Sequence, residues 1–332
     1  LLSQHLRRWR SDTSVAAVVL QAEGDKGFSA GGDVAEVIRH VRAGGDQRFV
    51  YGDAFFEEEY LLDRLIHQYG KPLIVFSHGV NMGGGMGLSM GASHRIIAED
   101  AKVAMPEIHI GLFPDVGGGF FLNRTPPGVG RIMALTGLVL NESDALWIGL
   151  FDAFIPKGEW DHALDQLSQL PFSADWQHDQ GLVTRWMLEW DESVNEALPS
   201  CMLSHYAKAL RWIGLQPTTE LVLQTLQRAA QDDPWFESPC QALGRGSPTA
   251  ALVTDRYLKM AYRRSLSEVL ELDWVLARKF LRGQDFCEGV RALLIDKDRK
   301  PNWQYKHFAE VPAFHVSAHF EDERSIAATE RT

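Results

Sequence analysis

The chain has 332 residues, 45% of them apolar, and a formal net charge of −11. That length and composition allow a substantial buried core in one large domain or two moderate ones. No basic cluster exceeds Arg7-Arg8 with Arg10, or Arg263-Arg264, which excludes a general nucleic-acid binder, because phosphate neutralisation needs clustered Lys and Arg.

The opening LLSQHLRRWRSD reads as the middle of an amphipathic helix, so a segment upstream of Leu1 is expected. VAAVVLQA (15–22) is β-branched and bounded by turn formers, the pattern of a fully buried strand. The glycine cluster FSAGGDV (28–34) follows it. Residues 51–69 place Phe55, Phe56, Leu61, Leu62, Leu65 and Ile66 mainly on one side of a helix that Gly70-Lys71-Pro72 ends. Within it, Glu57 and Glu58 read as a solvated face, whereas Glu59 lies nearer the apolar side. A second buried strand, PLIVFSHG (72–79), leads into NMGGGMG (81–87). Strand, helix, strand in this order indicates an α/β core with parallel pairing.

Positions 72–93 hold no Asp, Glu, Lys or Arg, but six glycines, three serines, His78 and Asn81 make the run too polar and flexible for a membrane span. GLSMG (87–91) matches G-x-S-x-G formally. A nucleophile elbow needs its serine on a sharp turn directly after a strand, and Ser89 falls instead inside the helix that the glycines introduce. There is no G-x-G-x-x-G after a strand, no Walker lysine and no HExxH. Three cysteines, Cys201, Cys240 and Cys287, lack a CxxC pair, which disfavours both a zinc site and a disulfide framework and fits a reducing compartment. From about residue 156 to 181 the chain turns Pro/Gly-punctuated and polar (SADWQHDQG). Beyond it, 182–198, 218–231, 248–264 and 266–282 carry helical apolar spacing.

Two features carry chemistry. The glycine clusters at 28–34 and 81–87 both sit where a strand ends and a helix begins, so their peptide N–H groups can form an oxyanion hole if aimed at one point. In MPEIHIGLFPDVGGGF (105–120), Glu107 and Asp115 stand eight positions apart in an apolar, glycine-rich segment. Charge is costly there unless it is partnered or used, so the pair either flanks surface turns or faces a pocket.

The motifs FSAGGD, FFEEEY, HGVNMGGGMGLS, AMPEIHIGLFPDVGGGFFL, ALTG, SPTA and FCEGVRALLIDKD, ordered along most of the chain, resemble the enoyl-CoA hydratase/isomerase (crotonase) superfamily and, within it, the 3-hydroxyisobutyryl-CoA hydrolase family. The resemblance implies an α/β, crotonase-like (ClpP/crotonase) spiral of ββα units over residues 1–170, with 171–332 as a helical region packing on it. That fold's N-terminal strands have no counterpart in this sequence. The implied substrate is an acyl-CoA thioester, CoA being part of the substrate and no cofactor or metal being needed. The backbone N–H groups of Gly32 and Gly84 would polarise the thioester carbonyl; Glu107 would be catalytic; Asp115 matches a carboxylate characteristic of the hydrolases; Glu59 matches a substrate-contacting residue. Hydratases carry a second glutamate where this chain has Gly87, so hydrolysis of 3-hydroxyisobutyryl-CoA, a step of valine degradation, fits better than hydration or isomerisation. Arg291 and Lys297 are candidate contacts for the anionic CoA. No nucleic acid or membrane partner is implied, and a homo-oligomer is compatible with the family. The expected setting is cytoplasmic in a bacterium or the mitochondrial matrix in a eukaryote.

Overall fold

The computed structural model describes residues 1–173, 175–193 and 198–321. Among these, the strands are β1 (Val18–Gln21), β2 (Leu73–Ser77), β3 (Val80–Met82), β4 (His94–Ile97), β5 (Lys102–Ala104) and β6 (Ala153–Phe154). β1, β2, β4 and β6 form one sheet in the order β1-β2-β4-β6, and β3 and β5 form a second. Every pairing is parallel. Successive strands from β2 onward alternate between the two sheets. Each strand pair is therefore a repeating unit, and the chain advances as a spiral.

The two sequence-predicted strands are present but shorter, because turns cut them. Gly79, at φ +50°, ends the run after β2 and lets the chain cross to β3. All five residues of β2 are buried, which explains a continuous apolar run rather than an alternating one.

The helix Val50–His67 buries Phe56, Tyr60, Asp63 and Ile66, a stripe spaced three or four residues apart. Leu61, placed by its apolar character with the inward side, is 45% exposed; the stripe centred on Phe56 and Tyr60 leaves it on the flank. This helix packs along Leu266–Arg282, whose start carries a capping box between Ser265 and Glu268. A Cβ on Gly52 would lie 2.6 Å from Leu281 Cδ2, so the absence of a side chain lets the two helices approach.

The polar stretch at 173–181 differs from its reading as punctuation, because Trp176–Ser193 begins inside it. Asp175 accepts the N–H groups of Gln177 and His178, so the polarity there belongs to a helix N-terminus. The end of the helix predicted over 182–198 includes 194–197, which lie outside the described residues. Helices Thr219–Asp232, Pro248–Ala261 and Leu266–Arg282 fall on the other predicted segments. One apolar cluster contains Val37, Phe56, Phe113, Leu210, Tyr257 and Val290, so early and late parts of the chain share a core.

Candidate active site

Three chain segments run side by side toward the site. Ser29 pairs with Asn81 in a parallel bridge, and Asn81 pairs with Val103 in the β3–β5 ladder. Gly32 and Gly84 each follow this row by three residues, and Glu107 follows it by four. Their shared direction makes all three emerge from the same carboxyl edge, where parallel α/β sheets place their ligands. Ser29 N–H donates to Val80, Met82 N–H to Ser29, and Gly83 N–H to Ala104, at 3.0, 2.9 and 3.3 Å, which locks the segments together.

The glycines are there because neighbours leave no room. A Cβ on Gly32 would collide with the Phe55 ring. A Cβ on Gly31 would lie 3.2 Å from the Gly84 nitrogen, so the two glycine loops touch. Among the described residues, neither the Gly32 nor the Gly84 N–H donates a hydrogen bond. Two adjacent unpartnered donors are what a developing oxyanion requires. Asp33 acts apart from them, its side chain accepting the Glu36 N–H at 3.0 Å and capping Val34–Ala43.

Carboxylates cover the same glycine turn from the other side. A Cβ on Gly83 would stand 3.1 Å from Glu107 Oε1, and one on Gly84 would overlap Glu59 Oε1. Glu107 is 4% exposed and opens the 3₁₀ turn Glu107–Ile110 just beyond β5. Its Oε2 has no hydrogen-bond partner. Asp115, also buried, accepts the Tyr60 hydroxyl at 2.6 Å. The structure therefore brings Gly32, Gly84, Glu59, Glu107 and Asp115 into one neighbourhood. Glu57 and Glu58 are exposed, as their solvated reading requires.

Burial dominates the electrostatics. It pushes the Glu107 carboxyl well above its usual range, with the nearby charges of Asp115 and Glu59 adding to the effect. Glu59 is raised to about 8 by burial and then by Asp115. Asp115 is raised to about 6, again by burial, against the opposing pull of the Tyr60 hydrogen bond. Acids this close cannot all ionise freely, so they titrate as a group.

Ser89 stands as the sequence places it, and Arg291 does not. Ser89 is wholly buried; its hydroxyl donates to Gly85 O at 3.0 Å and accepts from Asn81 Nδ2 at 2.8 Å, so it is a satisfied helix serine. Arg291 is engaged by Glu288, Asp296 and Asp298 at 2.8, 2.7 and 2.7 Å, which removes it as a free cation for CoA phosphates. Lys297 is exposed.

Sequence reasoning missed Tyr60, Asp63, Tyr257 and Asp273. Asp63 is 3% exposed with both carboxylate oxygens unpartnered. A Cβ on Gly87 would come within 2.7 Å of Val116 Cβ and within 2.8 and 2.9 Å of those oxygens, so Val116 and Asp63 together cover Gly87. Its signal was available: Glu59 and Asp63 are four apart and share a helix face. Asp273 likewise sits among Val269, Leu270, Leu276, Ala277 and Phe280 on the buried stripe of its helix, an acid at a core position.

Strands spiralling between two parallel sheets, with a glycine-loop and carboxylate site at their carboxyl edge, define a crotonase-fold protein. The sequence model of the enoyl-CoA hydratase/isomerase family matches residues 1–320, and the chain belongs to that family. It is 32% identical over 326 residues to a mitochondrial 3-hydroxyisobutyryl-CoA hydrolase of Danio rerio, covering 97% of this chain and 82% of the relative. The same identity holds over 316 residues with the mitochondrial 3-hydroxyisobutyryl-CoA hydrolase of Homo sapiens, covering 95% and 79%. Among solved structures, an enoyl-CoA hydratase from Rhodobacter sphaeroides 2.4.1 superposes with a TM-score of 0.84 at 31% identity, over 98% of this chain and 89% of that one. A carnitinyl-CoA dehydratase from Mycobacterium thermoresistibile gives 0.83 at 28%, over 97% and 87%.

Proposed function

We propose that the protein hydrolyses a short 3-hydroxyacyl-CoA thioester, 3-hydroxyisobutyryl-CoA above all. The observation that carries this reading is the parallel row Ser29, Asn81, Val103, which delivers two free N–H groups and a buried carboxylate to one place. The names of the Danio rerio and human relatives support the substrate.

Attack on a thioester puts negative charge on the carbonyl oxygen. Donors fixed in advance at that position stabilise the tetrahedral intermediate more than the substrate, and loss of one typically costs about a hundredfold or more in rate. Gly32 and Gly84 supply these donors. Glu107, with one oxygen unpartnered, either takes the proton of an attacking water or attacks the carbonyl carbon to give an anhydride that water then opens. In both routes the carbon–sulfur bond breaks, the thiolate leaves and is protonated, and an acid is released. Asp115 orients the water or substrate hydroxyl and assists proton transfer, and Glu59 accepts from the acyl hydroxyl. No cofactor enters, since CoA is part of the substrate.

Thiol release measured with DTNB across acyl-CoA esters tests the reaction and its specificity together. The expected outcome is turnover of 3-hydroxyisobutyryl-CoA, with Glu107→Gln and Asp115→Asn each losing most of it while melting like the parent. Near-normal turnover by either variant would overturn the assignment. A single turnover in oxygen-18 water separates the routes, because label in the enzyme carboxylate marks the anhydride. The alternative is enoyl-CoA hydration, favoured by the name of the Rhodobacter sphaeroides neighbour. Consumption of crotonyl-CoA without thiol release would select it.

A further inference from the structure

The turn that carries Asp115 is backbone-strained, and two side chains from the late helices hold it. Val116 has φ +49° and Gly117 φ +81°. For a β-branched residue the left-handed region is a genuine outlier, kept only where the surroundings over-determine it. The Gly117 N–H donates to Asp273 Oδ2 at 2.7 Å, and the Gly119 N–H donates to the Tyr257 hydroxyl at 2.8 Å. Side chains from two late helices thus hold two amides, two residues apart, and clamp the turn between them.

Nothing about the clamp is loose. Asp273 and Tyr257 are 0% exposed. A Cβ on Gly117 would stand 2.8 Å from Leu266 Cδ1, and one on Gly119 would stand 2.6 Å from Tyr257 Cζ, so glycines at both positions allow the late helices to reach the backbone. Phe113, just before the turn, packs edge-on against Tyr257 and stacks on Phe280. On the opposite side the Tyr60 hydroxyl meets the Asp115 carboxylate. A carboxylate is a costly way to satisfy one buried amide, because it must be desolvated beside other acids. Its value lies in holding a conformation that the local sequence disfavours.

We propose that Asp273 and Tyr257 are positioning residues that hold the Val116-Gly117 turn in its left-handed form and thereby fix the aim of Asp115. The kinetic part of this inference rests on the proposed thioester hydrolysis; the conformational part does not. Misplacing a reacting group by about 1 Å costs on the order of a hundredfold in rate, and that is the loss expected in kcat for Asp273→Ala, with KM changed less than about threefold.

Asp273→Asn should recover most of the rate, since its amide oxygen still accepts the Gly117 N–H. Tyr257→Phe, which removes only the hydroxyl, should show an intermediate loss. Amide exchange at Gly117 and Gly119 in the free protein should accelerate in Asp273→Ala and Tyr257→Phe and stay near the parent rate in Asp273→Asn. A folded Asp273→Ala with parental kcat, an Asp273→Asn no better than the alanine variant, or unchanged exchange at both glycines would each overturn the proposal. Should the alanine variant fail to fold, Tyr257→Phe and Asp273→Asn carry the same comparison. Exchange needs no substrate, so a parent protein that releases no thiol would refute the hydrolase reading while the exchange result still decides the clamp.

Discussion

Asp63 shows how one residue can couple the site to stability. Its carboxyl is buried, unpartnered and raised well above the usual carboxylate range, first by burial and then by the charges of Glu59, Asp115 and Asp273. In the unfolded chain an Asp ionises near pH ~4, whereas the folded protein keeps this proton. The folded state therefore binds more protons as pH rises past that value, and stability falls until the folded group also ionises. Asp63→Asn removes this term. Thermal melts of parent and variant should converge near pH 4 and diverge by pH 8, with the variant higher by on the order of a few degrees. Equal pH dependence in the two proteins would show that the Asp63 carboxyl is not held neutral. Glu59, Asp115 and Asp273 titrate in the same region, so the slope should diminish in the variant rather than vanish.

At the scale of elements, the decisive contact joins the loop after β1 to β3. Gly27 sits at φ +149°, and a Cβ there would lie 2.6 Å from the Val80 carbonyl oxygen and 2.8 Å from its Cα. Backbone cannot yield as a flexible side chain does, so Gly27→Ala must push the two segments apart. The Gly32 N–H then leaves its place beside Gly84. Thiol release should drop at least tenfold, and stability should fall by ~2 kcal/mol or more, through strain and the lost bridge. Gly158→Ala is the control, since a Cβ there meets nothing within 4 Å. Parental activity in Gly27→Ala would mean that the loop tolerates displacement.

Across the whole molecule, the shared apolar cluster from Val37 to Val290 and the helix Leu266–Arg282 packed along Val50–His67 predict that sheets and late helices unfold together. Tryptophans are spread accordingly: Trp160 and Trp186 pack beside Phe76 of β2, while Trp274 lies in the late helix. Far-UV circular dichroism and tryptophan fluorescence should therefore report one coincident thermal transition. An earlier transition confined to helical signal would show that the late helices are a separable unit. Because those helices also bear Asp273 and Tyr257, turnover should be lost within that same transition. No described helix is long and apolar enough to cross a membrane.

Local elements and chemistry-bearing motifs were legible in the order of the residues. β-branched runs marked β1 and β2, helical spacing marked the late helices, and Glu107, Asp115 and the two glycine clusters stood out because charge or bare backbone in an apolar segment needs a reason. Such signals are local, and one chain segment suffices to read them. Long-range packing alone established that Ser29, Asn81 and Val103 form a row, that Asp63 and Val116 cover Gly87, that Arg291 is consumed by neighbouring acids, and that Asp273 reaches across 156 positions to Gly117. Each depends on which distant segments meet, and helical periodicity reports only that a face is buried, never what it is buried against.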